Sequence, residues 1–365
     1  MRFIVFPFKV LSVFAFLAML LCYAAPFIHP ETASLLPFVG ISYPIILVVN
    51  IIVLLFWAVL RSKWFFISIV VFLLGGKLHF RAFAINFLED ESLSNELKIV
   101  SYNVRLFDIY NPNFEEGKAT RERIFEFFRR EKPDILCLQE YYKQDAPTRF
   151  VTLDSVFQIM GSKDYHERSA HKRIKRQNFG VAIFSKYPFI AKGDVMFDSQ
   201  GPDDYNYCIY ADIVKDLDTF RVYNVHLQSI RLYQGYYEAN PDDPVLNLTD
   251  KHGLLHIYKK LRVAYFKRAD QARRVVKHIE TSPYPVIVCG DFNDTPLSYT
   301  YNQFNKYLID AFRNSGSGIG ITYIGNVPAG RIDYIFHSKN LVSNKFVTHP
   351  DRNSDHLALS CVISK

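Results

Sequence analysis

Two stretches near the start of the chain, Val10 to Ile28 and Leu35 to Leu60, carry no charged side chain at all. Each meets the requirement of roughly 20 residues for crossing a bilayer as helix, so neither reads as an ordinary surface element. A third apolar run, Trp64 to Gly76, reaches spanning length only if it continues through Lys77, His79 and Arg81 to Leu88. The sequence therefore predicts a membrane anchor over residues 1–90 with helices at 10–28, 35–60 and 64–88. A cleaved signal peptide, with Arg2 and Lys9 ahead of an apolar stretch ending in Ala24-Ala25, accounts for the first run but not for the next two. Arg2, Lys9, Arg61 and Lys63 mark the cytoplasmic side, which puts the remainder of the chain outside: a multi-pass protein of the cytoplasmic membrane with an extracytoplasmic domain.

Beyond residue 90 the composition becomes that of a globular domain. Of the formal charge of +7, residues 1–90 contribute +3 (six Lys and Arg, three acids) and residues 91–365 contribute +4 (37 and 33). That excess is too mild for an obligatory nucleic-acid binder. The five cysteines stand singly in apolar surroundings and read as core residues, in no metal-type or disulfide pattern. A polar linker at 91–95 is expected, then a domain over 96–365. Leu97 to Val104, Ile135 to Leu138, Phe179 to Ser185, Asn206 to Val214, Phe220 to Leu227, Ile332 to His337 and Leu357 to Ile363 read as strands. Thr120 reads as the cap of a helix that Pro133 ends, and a long amphipathic helix is expected from Leu254 to Glu280. Many strands with few helices imply two packed sheets covered by helices. His166 to Lys175 reads as a charged loop, and Arg231 to Gly253, with Tyr233, Tyr236 and Tyr237, as a lid or surface insertion.

Chemistry gathers at the strand ends. After the apolar run Pro285 to Val288, Cys289-Gly290-Asp291-Phe292-Asn293 sets Asp291 and Asn293 on one side of the chain and Phe292 on the other. Asn103, Glu140 and His226 close three further strands, Asp333 opens one, and Asp355-His356 precedes the last. Singly, each reads as a turn or surface group. Together they form a set suited to phosphoryl transfer, with carboxylates for a metal or water and neutral donors for phosphoryl oxygens.

With Ser-Tyr-Asn103, Leu-Gln-Glu140, Asn-Val-His226-Leu, Gly-Asp291-Phe-Asn293, Arg-Ile-Asp333-Tyr and Ser-Asp355-His356 in that order, the chain from about residue 96 resembles the endonuclease/exonuclease/phosphatase superfamily, including DNase I-like nucleases and neutral sphingomyelinases. The resemblance implies a four-layer α/β/β/α sandwich and a divalent metal, Mg²⁺ with Mn²⁺ or Ca²⁺ as alternatives. It also implies roles. Glu140 is the principal metal ligand, with Asn103, Asp291 and Asp355 contributing; His356 is the general base or the phosphate-contacting imidazole, oriented by Asp333. His226 bonds a phosphate oxygen, and Asp291 and Asn293 hold metal, water or phosphate. Arg173, Lys175 and Arg331 are further candidates for substrate phosphate. Arg105 stands where base-excision nucleases commonly carry an acid, which weakens a repair-nuclease reading.

The expected activity is that of a membrane-anchored, metal-dependent phosphoesterase. Its partners would be the bilayer and a phosphoester, lipid or nucleic acid, with no protein partner evident. An anchored nuclease and a silent binding domain are the alternatives. The polar stretch Glu89 to Glu96 around that linker, about eight residues and at most roughly 28 Å long, would hold the cleft near the membrane. Lipid esters would gain most from that confinement, with Arg168, Lys172, Arg173, Lys175 and Arg176 and the three tyrosines meeting the surface.

Overall fold

The computed structural model describes residues 2–86, 95–148, 150–170, 177–197, 206–230, 251–325 and 329–365, with side chains from residue 6 onward and excepting those of 170 and 251–254. Twelve strands build two six-stranded sheets. The first sheet holds β1 (Leu97–Asn103), β2 (Ile135–Gln144), β3 (Asp164–Ala170), β4 (Gln177–Ser185), β11 (Val342–Thr348) and β12 (Leu359–Ser364), in the order β11-β12-β1-β2-β4-β3. The second holds β5 (Phe189–Asp194), β6 (Tyr207–Lys215), β7 (Asp218–His226), β8 (Val286–Asp291), β9 (Leu308–Asp310) and β10 (Asp333–Ser338), in the order β5-β6-β7-β8-β10-β9. The helices are α1 (Arg2–Ala24), α2 (Leu36–Ile41), α3 (Tyr43–Val59), α4 (Trp64–Leu74), α5 (Gly76–Ala82), α6 (Phe114–Glu131), α7 (Thr152–Met160), α8 (Lys251–Ile279), α9 (Tyr299–Asn305) and α10 (Ala311–Ser315).

Alternation within the strands explains the layering. Leu97 and Ile99 of β1 join a core between the two sheets with Cys137, Ile183, Ile209, Val222, Cys289 and Ile335, while Val100 and Tyr102 face Phe127, Phe128 and Met160 of α6 and α7. On the far side, Val225, Val288 and Phe336 pack under Ala272 and Val275 of α8 and Phe304 of α9. Central strands buried on both faces need apolar residues on both, so they read as nearly continuous apolar runs. The result is the expected α/β/β/α sandwich, and all five cysteines are buried thiols.

Several local expectations change. The cap of α6 is Asn113, whose side chain accepts from the Glu115 and Glu116 amides, and Thr120 lies inside the helix. Asn presents a carbonyl at the right place, whereas the apolar period on which the cap was sought begins only later. The charged segment from residue 166 is not all loop: Asp164–Ala170 forms edge strand β3, where His166 and Arg168 both meet Asp194, at 3.1 and 3.4 Å. An edge strand has one solvated side, so its polar residues hide it from an apolar pattern search.

The N-terminal region departs furthest from the expected three straight spans. α1 has 23 residues, about 34 Å of helix, and within it and the following turn Phe6–Phe27 is long and apolar enough to cross a membrane. The second apolar run divides at Ser42 into α2 and the 17-residue α3. The third divides at Gly75 into α4 and α5, bent by 66°, so it is no single straight helix. Arg81, on α5, does not reach toward a membrane surface: its Nη2 donates to Asn302 Oδ1 at 2.9 Å inside the protein.

α5 and α2 seat this region on the sandwich. Phe38 stacks on Tyr258 and meets Tyr265 of α8, at ring distances of 5.1 and 5.5 Å, and His29 lies edge-on to Tyr299 at 5.0 Å. At Gly40 the fit is backbone on backbone, because a Cβ there would come within 2.9 Å of the Leu297 carbonyl oxygen. Ala84 and Gly318 exchange amide hydrogen bonds of 3.0 and 2.9 Å, and Asn86 donates to the Gly316 carbonyl at 2.5 Å. The chain is thus docked on the sandwich as far as residue 86, through residues expected to belong to the third span; the predicted linker, apart from Asn95, lies outside the described residues.

Candidate active site

Strand register does most of the assembly. Asp291 at the end of β8 is paired with His226 of β7 on one side and with Asp333 of β10 on the other. Gly290 makes this close packing work: it sits at φ 147°, and a Cβ there would lie 1.9 Å from the Val225 carbonyl oxygen. No other residue fits. The strand runs on through Gly290 to Asp291.

The two sheets meet beneath this point through amides. Asn224 donates to the Leu138 and Ala182 carbonyls at 2.8 Å each, and Gln139 donates to Asn224 Oδ1 at 2.6 Å. At the rim, Asn103 from the first sheet donates to Asp291 Oδ2 at 3.1 Å, while the Asn293 backbone amide donates to Asp291 Oδ1 at 2.8 Å. His356 Nδ1 lies 2.9 and 3.1 Å from the two Asp333 oxygens, so that nitrogen carries its hydrogen and Nε2 faces Asp291 Oδ2 at 3.6 Å. His226 Nε2 is 3.8 Å from the same oxygen. Apart from the half-buried Asn293, all of these residues are buried.

Burial and charge set their protonation. Burial, reinforced by Asp333 and opposed by His356 and His226, pushes the Asp291 carboxyl up to about 6. Burial would lower His356, but Asp333 and Asp291 outweigh it and hold the imidazole well above its ordinary range. An acid poised near neutrality thus stands beside an imidazolium.

Asp291, Asp333 and His356 are also the one group of three or more acidic, His or Cys residues, among the described residues, whose ligand atoms all lie within 4.8 Å of each other. Carboxylate oxygens with the Asn103 amide nearby suit a hard divalent cation. Glu140 and Asp355 stand outside that group but close by. Both, with Asp291, act on the phenol of Tyr323, which burial and these carboxylates push up to about 12 against the opposing charge of Arg105. A bulge in β2 between Leu138 and Tyr141 contains Glu140 at φ 46°. Asp355 Oδ1 accepts from Ser354 Oγ at 3.2 Å and Oδ2 lies 3.9 Å from Arg105 Nε. Asn293 donates its side chain to the Leu227 carbonyl at 3.1 Å.

The sequence profile of the Endonuclease/Exonuclease/phosphatase family matches residues 100–356. The chain belongs to that family. A second profile, described only as a domain of unknown function, matches residues 2–82. No curated protein matches the chain. Among solved structures, it is similar to an endonuclease/exonuclease/phosphatase family protein from Leptotrichia buccalis, at 15% identity and a TM-score of 0.51 over 74% of this chain and 100% of that one. It is likewise similar to a family protein from Bacteroides thetaiotaomicron (19%, 0.51, 74% and 95%) and to the human Nocturnin catalytic domain with bound sulfate anion (19%, 0.50, 75% and 96%). At such identities the likeness is one of fold.

Within this family member, one expected phosphate contact is corrected. Arg331 is buried, with Nη1 on Asp310 Oδ2 at 2.8 Å and Nη2 on the Arg81 carbonyl at 2.7 Å, so its guanidinium is committed inside the protein. Arg next to a strand-opening Ile-Asp pair says nothing about which way the side chain turns. Arg173 and Lys175 lie outside the described residues, as do Lys172, Arg176, Tyr233, Tyr236 and Tyr237.

Two further residues escaped the sequence reading. Thr322 Oγ1 accepts from the Ile332 and Asp333 amides at 3.0 and 3.1 Å, fixing the start of β10. Tyr323 forms an isolated bridge with His356 and sets its ring 5.0 Å from the imidazole. Both belong to a glycine-rich stretch with no periodic pattern to betray them.

Proposed function

We propose that this protein is a membrane-anchored phosphoesterase that hydrolyses a lipid head-group ester, or a similar extracytoplasmic phosphoester, with a divalent cation. The observation that carries the reading is the pairing of Asp291, poised near neutrality, with an imidazolium at His356 held by Asp333. Water attacks phosphorus as the bond to the leaving oxygen breaks, Asp291 takes the proton from the water, and the leaving oxygen takes one from solvent. His356 Nε2–H donates to a phosphoryl oxygen as charge builds, with His226 and the second N–H of the Asn293 amide as further donors. Of the two roles expected for His356, the phosphate-contacting one is favoured, since a protonated imidazole is no base. Asp291, Glu140, Asn103 and Asp355 would hold the cation, which when bound supplies positive charge against the phosphoryl oxygens.

A ligand carboxylate must shed its proton before it binds metal. Stabilisation of the purified protein by Mg²⁺ or Mn²⁺ should therefore be full at pH 8 and fade as pH falls through about 6, where Asp291 protonates. Thermal unfolding with and without the ion across that range is the measurement; equal stabilisation at pH 5 would remove Asp291 from the metal set.

Anchoring is supported by where charge sits along the helical region. Lys9 Nζ lies 5.9 Å from the Trp64 ring, so Lys9 in the first part of α1 and the basic residues before α4 share one end, and α2 and α5 meet the catalytic sandwich. Basic ends favour the cytoplasm. A periplasmic-type reporter fused after Lys365 should be active and a cytoplasmic-type one silent; the reverse would put the catalytic domain inside.

A further inference from the structure

One short segment joins the membrane-side helices to the candidate site. Gly318 pairs with Ala84, just beyond α5, and five residues later Tyr323 pairs with His356. Five residues reach at most about 17 Å, so Tyr323, the bridge partner of His356, stands within that distance of the point where the sandwich meets the helices. Between the two bridges the buried Thr322 points inward to hold Ile332 and Asp333, whereas Ile319 and Ile321 are 67% and 45% exposed. Phe80 of α5 and Ile85, which follows Ala84, are 54% and 58% exposed at the same junction. No charged residue occurs between Arg313 and Arg331.

We infer that Ile319 and Ile321, continued by Phe80 and Ile85, form an apolar rail that holds the hydrocarbon chain of a membrane lipid while its phosphoester sits at His356. The inference rests on the phosphoesterase reading and specifies its substrate class as esters carrying a long acyl or alkyl chain. Chemistry selects that occupant. The rail is apolar, uncharged and continuous with helices whose outward faces are apolar, such as Leu73 and Leu74 of α4. Arg313, whose Nε donates to the Phe80 carbonyl at 3.0 Å, and the exposed Lys77 of α5 stand at its margin, short of the row of cations that the phosphates of a nucleic acid call for. Exposed side chains of this size gain free energy only by meeting something apolar, and a lipid drawn partly out of the bilayer brings its own chain to them.

Two measurements on the full chain in nanodiscs test this. Ile319→Cys can be labelled selectively with a bimane dye, because the native cysteines are buried. Nitroxide carried on the acyl chain of phosphatidylcholine should quench the dye; an unquenched dye overturns the rail whatever the enzyme's activity. Separately, Ile319→Ser/Ile321→Ser should lose about tenfold in kcat/KM on hexadecyl p-nitrophenyl phosphate and none on methyl p-nitrophenyl phosphate, which differ only in the chain. Equal losses on both esters, or no loss on the long one, contradict the rail. If the wild type cleaves neither ester, the phosphoesterase reading fails, and the quenching result still judges the surface.

Discussion

Asp291→Asn should lower phosphoester hydrolysis by about 10²–10⁴-fold, because it removes the group that takes water's proton while keeping its shape. An amide at this position can still accept from the Asn293 backbone amide, as Asp291 Oδ1 does at 2.8 Å, so the strand end should persist. Stability separates this from simple damage. The folded pKa of Asp291, about 6, lies above its unfolded value, so its charged form costs the metal-free protein stability at pH above 6 and that cost vanishes once pH falls below the unfolded pKa. In EDTA at pH 8, Asp291→Asn should thus unfold no earlier than wild type. Activity within tenfold of wild type, in a variant with unchanged circular dichroism, would remove Asp291 from the chemistry.

The second large effect is on folding. Arg331→Met should cost about 3–5 kcal/mol, since it strands the buried carboxylate of Asp310 without its cation. Asp310 would keep only the Tyr301 hydroxyl at 2.8 Å and the Phe312 amide at 3.1 Å. The Arg81 carbonyl, which accepts from Arg331 Nη2, would lose its donor, loosening the helical region from the sandwich. Adding Asp310→Asn should recover part of the loss by removing the orphaned charge. Unfolding midpoints in detergent for wild type, Arg331→Met and the double variant measure this, and a single variant within 1 kcal/mol of wild type, roughly the worth of a surface ion pair, would refute the buried-pair account. Arg331 lies two residues before Asp333, so catalysis should decline with it. A preparation limited to residues 91–365 would also lack Arg81 and uncover Leu297, which packs with the helical region. The full chain is the right material for assays.

The sandwich was legible in the sequence because its central strands are buried on both faces, and burial on both faces leaves an unmistakable apolar run such as Ile135 to Leu138 or Val286 to Cys289. The residues at the ends of those runs were legible for a related reason. A polar group that ends a buried strand emerges at the carboxyl end of the sheet, where Asn103, His226 and Asp291 are found, whereas Glu140 lies inside β2, at its bulge. Edge strand β3 and the short strand β9 left no such trace, being solvated or too brief. Nor could hydropathy reveal that the third apolar run bends by 66° at Gly75, since both halves are apolar and the contacts at the bend, Tyr23 with His79 and Arg81 with Asn302, come from distant parts of the chain.

By itself, the sequence determined the layers, the apolar N-terminal region and the identity of the groups at the strand ends, all of which follow from local periodicity. Tertiary structure alone decided their pairings: that Asp333 holds His356 Nδ1, that Thr322 pins the start of β10, and that Arg331 turns away from phosphate toward Asp310 and Arg81. Such partners are up to 250 residues apart, and their choice follows from which buried polar group stands within hydrogen-bond reach once the chain has closed around it.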